Sequence, residues 1–121
     1  MSAAPEGRTG GVSIHAVDVA AGVPAAGMIV ELHRLAPDPA RVTGGVVAED
    51  DHWRPEDRSV LEALPEGLYE AVFHVGAWLA ERGTPSFLDT VPFRFRVAAT
   101  DGHCHLPLKF TPWGYALFRG A

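Results

Sequence analysis

The feature that most constrains this chain is a period-two alternation of apolar and polar residues in short segments bounded by glycine and proline. Val12–Val17 alternates in this way, with Ile14 on the apolar side and His15 on the other, and Val91–Val97 repeats the pattern. Successive side chains of a β-strand point to opposite faces of the sheet, so this period predicts strands with one buried face.

The same pattern, with turn residues between its segments, predicts seven to eight strands and one short helix. Glycine or proline separates most of the segments, and Glu49–Ser59 is predicted to be a polar loop. The helix is predicted over Ala77–Arg82, with Gly83 as its C-terminal stop. The strands predicted by name are Val12–Val17, Met28–Leu35, Val42–Ala48, Leu68–Val75, Val91–Val97, His103–Leu108 and Trp113–Phe118. This order of elements is typical of an all-β protein, an antiparallel β-sandwich.

Length and charge limit the function classes. The 121 residues fit one domain, predicted over 12–121 and preceded by a flexible arm over 1–11. The net charge of -5, without a basic cluster, argues against nucleic acid and anionic membranes as partners. The single Cys104 cannot form an internal disulfide, and no apolar run is long enough to span a bilayer, so we expect a cytoplasmic protein.

Histidines are the strongest candidates for chemistry. His103 and His105 fall on one face of a predicted strand, a spacing that can chelate zinc or copper. No further cysteine or histidine pair has matching spacing, so we predict no metal site, and an ordinary pair of surface or core histidines is the alternative. Cys104 points to the opposite face and is predicted to be a small buried residue. No phosphate loop or dinucleotide motif is present, and we predict no cofactor.

Four segments together resemble the transthyretin-like family and, within it, the 5-hydroxyisourate hydrolases of urate breakdown. The first is Ile14–Asp18 with the loop Gly22–Gly27. The others are Glu66–Phe73, Phe87–Phe95 and the end of the chain from His103. The resemblance covers residues 12–121 and implies a transthyretin-like sandwich.

The resemblance also implies a site and a reaction. In the hydrolases, the sites lie in channels where two dimers meet as a homotetramer. Carried over, the catalytic residues are His15, Arg54 and His105, and the C-terminal residues that bind the small-molecule substrate are Phe118, Arg119, Gly120 and Ala121. Ring opening by water needs a base near the water and a cation for the oxyanion, which one histidine and Arg54 would supply.

Departures from the family pattern leave alternatives open. The usual Asn-X-Asp-Gly lead-in to the arginine is replaced by Glu49–Trp53, so Trp53 competes with Arg54 for that place. The usual Ser-Thr-Tyr-Arg-Gly-Ser ending is Ala116–Ala121 here, which removes hydroxyls. Lys109 replaces an apolar residue and lies on the His105 face by alternation. It is predicted either to reach solvent or to be a desolvated amine that acts on the substrate.

Three functions follow. The first is hydrolysis of 5-hydroxyisourate or a similar cyclic amide in purine catabolism. The second is an enzyme with a more apolar substrate, such as a secondary-metabolite intermediate, and the third is a non-catalytic small-molecule binder. In a site shared between subunits, each subunit supplies part of the channel wall. We therefore predict a homotetramer, with the C-terminal carboxylate or an acidic residue near Lys109.

Overall fold

Two β-sheets enclose one apolar core. The computed structural model describes residues 10–99 and 101–120. The predicted arm over 1–11 therefore lies mostly outside the described residues. The strands are β1 Val12–Asp18, β2 Val23–Pro24, β3 Ile29–Ala36, β4 Ala40–Val47, β5 Trp53–Pro55, β6 Gly67–Phe73, β7 Val91–Val97, β8 Cys104–Phe110 and β9 Tyr115–Leu117. A 3-10 turn spans Arg58–Leu61 and the helix α1 spans Val75–Glu81.

The sheets have four and five strands, in the orders β2-β1-β8-β9 and β5-β4-β3-β6-β7. Alternation decides which residues face the core. Every second residue of β1 is buried, including Ile14, and β8 buries Cys104, Leu106, Leu108 and Phe110 in the same way. The predicted β-sandwich and the burial of Cys104 are confirmed. The polar faces of β1 and β8 are left together on the outside of the four-stranded sheet.

One strand pair departs from the predicted antiparallel order. β1 and β8 are parallel neighbours, with Ser13 opposite His105 and His15 opposite Pro107. Parallel strands need a long crossover, and almost the whole domain lies between these two strands. All other pairs are antiparallel among the described strands. This parallel register sets which side chains meet on the outer face.

Several predicted boundaries were wrong for local reasons. The last strand was predicted from Trp113, but the Thr111 hydroxyl accepts hydrogen bonds from the backbone of Trp113 and Gly114 and so forms a turn there. Trp113 is 75% exposed in that turn. The helix begins at Val75 rather than Ala77 and ends before Gly83, whose φ of 69° confirms the predicted glycine stop. Among the described residues, no helix has the length and hydropathy to cross a membrane.

Candidate functional site

Two histidines on neighbouring strands form the centre of the candidate site. His15 of β1 and His105 of β8 have ring centroids 4.2 Å apart, with the planes at 78°. They meet because the parallel register puts His105 beside Ser13 and diagonally next to His15. Both sequence-predicted histidines therefore lie on one face, where a small molecule could contact both rings.

Two further histidines flank this pair, His103 beside His105 and His52 beside His15. The Ser13 hydroxyl lies 2.8 Å from His105 Nδ1 and 2.8 Å from His103 Nε2. His103 Nδ1 lies 2.9 Å from the backbone oxygen of Gly10. The alternation had put Ser13 on the His15 face, but its place beside His105 depends on the β1–β8 register, which the sequence does not show.

On the other side of His15 stands His52, a residue that the sequence reasoning missed. His15 Nε2 and His52 Nδ1 are 2.8 Å apart, and an isolated β-bridge joins the two residues. Asp51 precedes His52 with a φ of 67°, a conformation that favours glycine. Aligned on this positive φ, Asp50-Asp51 corresponds to the Asp-Gly of the lead-in that the family resemblance implies, and His52 then corresponds to the arginine that follows it. Counting residues along the loop from Asp50-Asp51 was therefore the one way in which the sequence could have indicated His52.

The structure corrects the expectation for Trp53, and the role expected of Arg54 stays a prediction. Trp53 is 2% exposed and its Nε1 donates a hydrogen bond to the Val30 backbone oxygen, so its ring belongs to the core. The Arg54 guanidinium lies 2.6 Å from Asp50 Oδ2 and 3.4 Å from the His52 backbone oxygen. No contact joins Arg54 to His15 or His105 among the interactions of the described residues. The loop reaches His15 through His52.

Burial and neighbouring charges both favour neutral imidazoles. The pKa of His15 is lowered, first by desolvation and then by the charge of His52, although Asp51 and Asp50 oppose the shift. The pKa of His105 is also lowered, first by desolvation and then by His15 and the other two histidines of the cluster. Because the ordinary value is 6.5, both rings are neutral at pH 7 and can accept a proton.

The predicted C-terminal residues divide into one that reaches the pair and others that do not. The Gly120 backbone N–H donates to the His105 oxygen at 2.7 Å, and a Cβ on Gly120 would lie 3.0 Å from His105 Cδ2. Arg119 is 3.8 Å from Asp101 and half exposed, and Phe118 is 49% exposed. Ala121 lies outside the described residues, so its predicted role is not placed.

Lys109 shares the outer face of β8 with His105, as alternation predicted, and it is exposed. Four residues of strand separate their Cα atoms by about 13 Å. Its neighbours across the sheet are Val17 and Ala116. Val17 is two residues from His15, so Lys109 lies diagonal to His15 across the strand pair, as His105 does in the other direction. Among residues 10–99 and 101–120, no hydrogen bond joins Lys109 to either histidine, and its predicted carboxylate partner is absent from their ion pairs.

A metal would need a different spacing from the one found here. Among the described residues, one group of three has ligand atoms within 4.8 Å of one another, namely His15, Asp51 and His52. Zinc bonds of about 2.05 Å at tetrahedral angles hold two nitrogens about 3.4 Å apart. The 2.8 Å separation of the two imidazole nitrogens is instead that of a direct hydrogen bond.

Comparisons with known proteins point to one family. A sequence model described as the HIUase/Transthyretin family matches residues 12–120. The 5-hydroxyisourate hydrolase of Deinococcus radiodurans is 39% identical over 117 residues, which cover 92% of this chain and 96% of that protein. The 5-hydroxyisourate hydrolase 2 of Rhizobium meliloti is 35% identical over 120 residues, with coverage of 94% and 98%.

A solved structure extends the likeness to three dimensions. The 5-hydroxyisourate hydrolase of Klebsiella pneumoniae superposes with a TM-score of 0.78 at 27% identity, covering 91% of this chain and 97% of that one. The match to the family sequence model, over residues 12–120, includes both strands that carry the histidine pair.

Proposed function

Because the chain belongs to the HIUase/transthyretin family, we propose that it is a hydrolase that opens the ring of 5-hydroxyisourate in urate breakdown. Relatives at 39% and 35% identity carry that activity in their names. One observation carries the proposal. The rings of His15 and His105 lie 4.2 Å apart on the outer face, and the pKa of each is lowered, as a base at neutral pH requires.

The proposal assigns the general base to His105. Its Nδ1 is occupied by Ser13, which leaves Nε2 to face a ligand. A water oxygen attacks a ring carbonyl carbon while His105 Nε2 takes one of its protons. The ring C–N bond then breaks, and the nitrogen receives that proton from His105. The net reaction adds one water across the amide bond and needs no further reactant.

The proposal assigns stabilisation of the oxyanion to the His15–His52 pair. Two nitrogens 2.8 Å apart share one hydrogen, so the pair carries at most one positive charge while that bond is intact. Asp51 Oδ1 lies 3.6 Å from His15 Nδ1 and 3.9 Å from His52 Nε2, close enough to favour that charge. When that one charge is present, the pair supplies the cation expected of an arginine.

We further propose a homotetramer in which the histidine face of one dimer meets that of the other. Large apolar side chains near β9 favour such an assembly, since Trp113, Tyr115 and Phe118 are 75%, 50% and 49% exposed. Each copy would then close the open face of another. Sedimentation equilibrium at micromolar concentration should give four copies, and a monomer would contradict the shared site.

The activity is tested with substrate made in place. Urate and urate oxidase generate 5-hydroxyisourate, whose absorbance decays slowly in buffer. Purified protein should accelerate that decay in proportion to its concentration. Decay at the buffer rate would overturn the proposed substrate and direct the search to other cyclic amides.

A further inference from the structure

The outer face of the four-stranded sheet contains a chain of hydrogen bonds with a fixed starting point. The Gly10 backbone oxygen lies 2.9 Å from His103 Nδ1, His103 Nε2 lies 2.8 Å from Ser13 Oγ, and Ser13 Oγ lies 2.8 Å from His105 Nδ1. A carbonyl oxygen only accepts hydrogen bonds, so His103 Nδ1 must carry a hydrogen. The first link thus has one possible direction.

The remaining directions follow from counting hydrogens. With its hydrogen on Nδ1, a neutral His103 presents a lone pair at Nε2, and the Ser13 hydroxyl donates its single hydrogen there. Ser13 Oγ can then only accept from His105, so His105 Nδ1 carries a hydrogen. The lone pair of a neutral His105 is therefore on Nε2.

We propose that Ser13 and His103 are positioning residues that hold His105 in the tautomer whose Nε2 is free to act as the base. Neutral histidine in water favours the opposite tautomer, with the hydrogen on Nε2. The hydrogen bonds that lead from Gly10 to His105 reverse this preference for the Nε2 tautomer before the substrate binds. The proposal rests on the proposed function for its catalytic consequence, but not for the tautomer itself.

Two features of the backbone show that this chain of hydrogen bonds is built into the fold. A Cβ on Gly10 would lie 2.6 Å from the His103 backbone nitrogen, so only glycine lets the carbonyl approach this closely. At the other end, the Gly120 N–H donates to the His105 oxygen at 2.7 Å and fixes that backbone. Main-chain atoms therefore hold both ends of the hydrogen-bond chain, at Gly10 and at His105.

The tautomer is measured directly by nitrogen NMR of histidine-labelled protein. At about pH 8, above the ordinary imidazole pKa of roughly 6.5, His105 should carry its hydrogen on Nδ1. Ser13→Ala and His103→Ala should shift it toward Nε2, and Ser13→Thr, which keeps the hydroxyl on a strand-compatible side chain, should restore the Nδ1 form. His33→Ala on the opposite sheet is the matched control and should leave the signal unchanged. A wild-type His105 with its hydrogen on Nε2 would overturn the proposal.

Kinetics then tests the consequence for the reaction. Ser13→Ala should lower kcat at least about tenfold, because a positioned base contributes roughly 10²–10⁴-fold to the rate. KM should change little, because the substitution leaves the rest of the binding surface in place. Ser13→Thr should recover most of that loss. A shifted tautomer with unchanged kcat would contradict the positioning role. Absence of turnover in the wild type, with the Nδ1 tautomer present, would contradict the proposed substrate alone.

Discussion

The outer faces of the two sheets both carry histidines, yet they give these histidines opposite partners. On the four-stranded sheet, His15 meets His52 at 2.8 Å and His105 at a ring distance of 4.2 Å. On the five-stranded sheet, Glu31 Oε1 lies 2.8 Å from His74 Nε2, and Glu31 Oε2 lies 3.8 Å from His33 Nε2. On the first face the shortest contact of a histidine ring joins two imidazoles, and the carboxylate of Asp51 is further away, at 3.6 Å from His15 Nδ1. On the second face the shortest contact joins an imidazole to a carboxylate.

The difference in partners also gives the two faces different electrostatics. Hydrogen bonding to His74 is the largest cause that lowers the pKa of Glu31, and Arg41 at 3.6 Å adds to the effect. That cluster pairs its charges internally. On the first face, the pKa of His15 and of His105 is lowered mainly by desolvation, although the carboxylate of Asp51 lies 3.6 Å from His15 Nδ1 and opposes the shift. Both faces carry several histidines, so the partners of the histidines, rather than their number, distinguish the two faces.

The largest expected effect comes from removing either central histidine. His105→Ala and His15→Ala should each lower kcat/KM for 5-hydroxyisourate by roughly 10²–10⁴-fold, the range of a positioned acid or base. His33→Ala, on the carboxylate-paired face, is the control and should stay within about twofold. Equal losses in all three variants, with unchanged circular dichroism, would break the contrast between the faces.

The second effect concerns the loop that meets His15. His52→Ala should lower kcat/KM by roughly ten- to a hundredfold, because it removes the proposed cation at the oxyanion. Arg54→Ala should cost less, since this exposed side chain is held by Asp50. The same decay assay measures both variants. A larger loss for Arg54→Ala would restore the arginine to the role that the family resemblance implies.

Alternation predicted the sandwich and the faces on which His15 and His105 lie, because each depends only on local periodicity, whereas the family resemblance singled out these two histidines. His15 and His105 lie on polar positions of strands whose other faces are buried. The sequence could not supply the parallel β1–β8 register, since that pairing joins residues 92 apart, such as Ser13 and His105. Without the register, Ser13 had no visible partner.

The loop before β6 shows a second limit of local reasoning. The polar character of Glu49–Ser59 predicted an exposed loop, but β5 forms inside it and carries Trp53 into the core. The positive φ of Asp51 sets the phase of the residues that follow it. The prediction named Arg54 or Trp53 for this place, whereas His52 is the residue of the loop that contacts His15. A one-residue difference of phase separates Trp53 from His52, while Arg54 has the phase of His52 but lies two residues further along the chain.

A smaller effect is expected at the C-terminal segment. In Gly120→Ala, the new Cβ would lie 3.0 Å from His105 Cδ2 and 3.4 Å from Pro107 Cδ, so the imidazole must move by a few tenths of an ångström. We expect a loss of kcat of about threefold to tenfold, because small misplacements of a base are costly. Gly114→Ala meets no atom within 4 Å and is the matched control. Unchanged kinetics for Gly120→Ala would show that the ring has room to adjust.

The smallest expected effect is a difference in how acid destabilises the two faces. His15 and His105 have a folded pKa below 6.5, so the unfolded chain binds more protons between that folded value and 6.5, and stability falls as pH drops through this window. Glu31 has a folded pKa below 4.5, so its contribution is present above 4.5 and is lost only as pH falls through the lower folded value. In melting curves, His15→Gln with His105→Gln should flatten the Tm profile just below pH 6.5, whereas Glu31→Gln should flatten it below 4.5, each by a few degrees. If the histidine variants changed only the lower window, the two faces would share one electrostatic character.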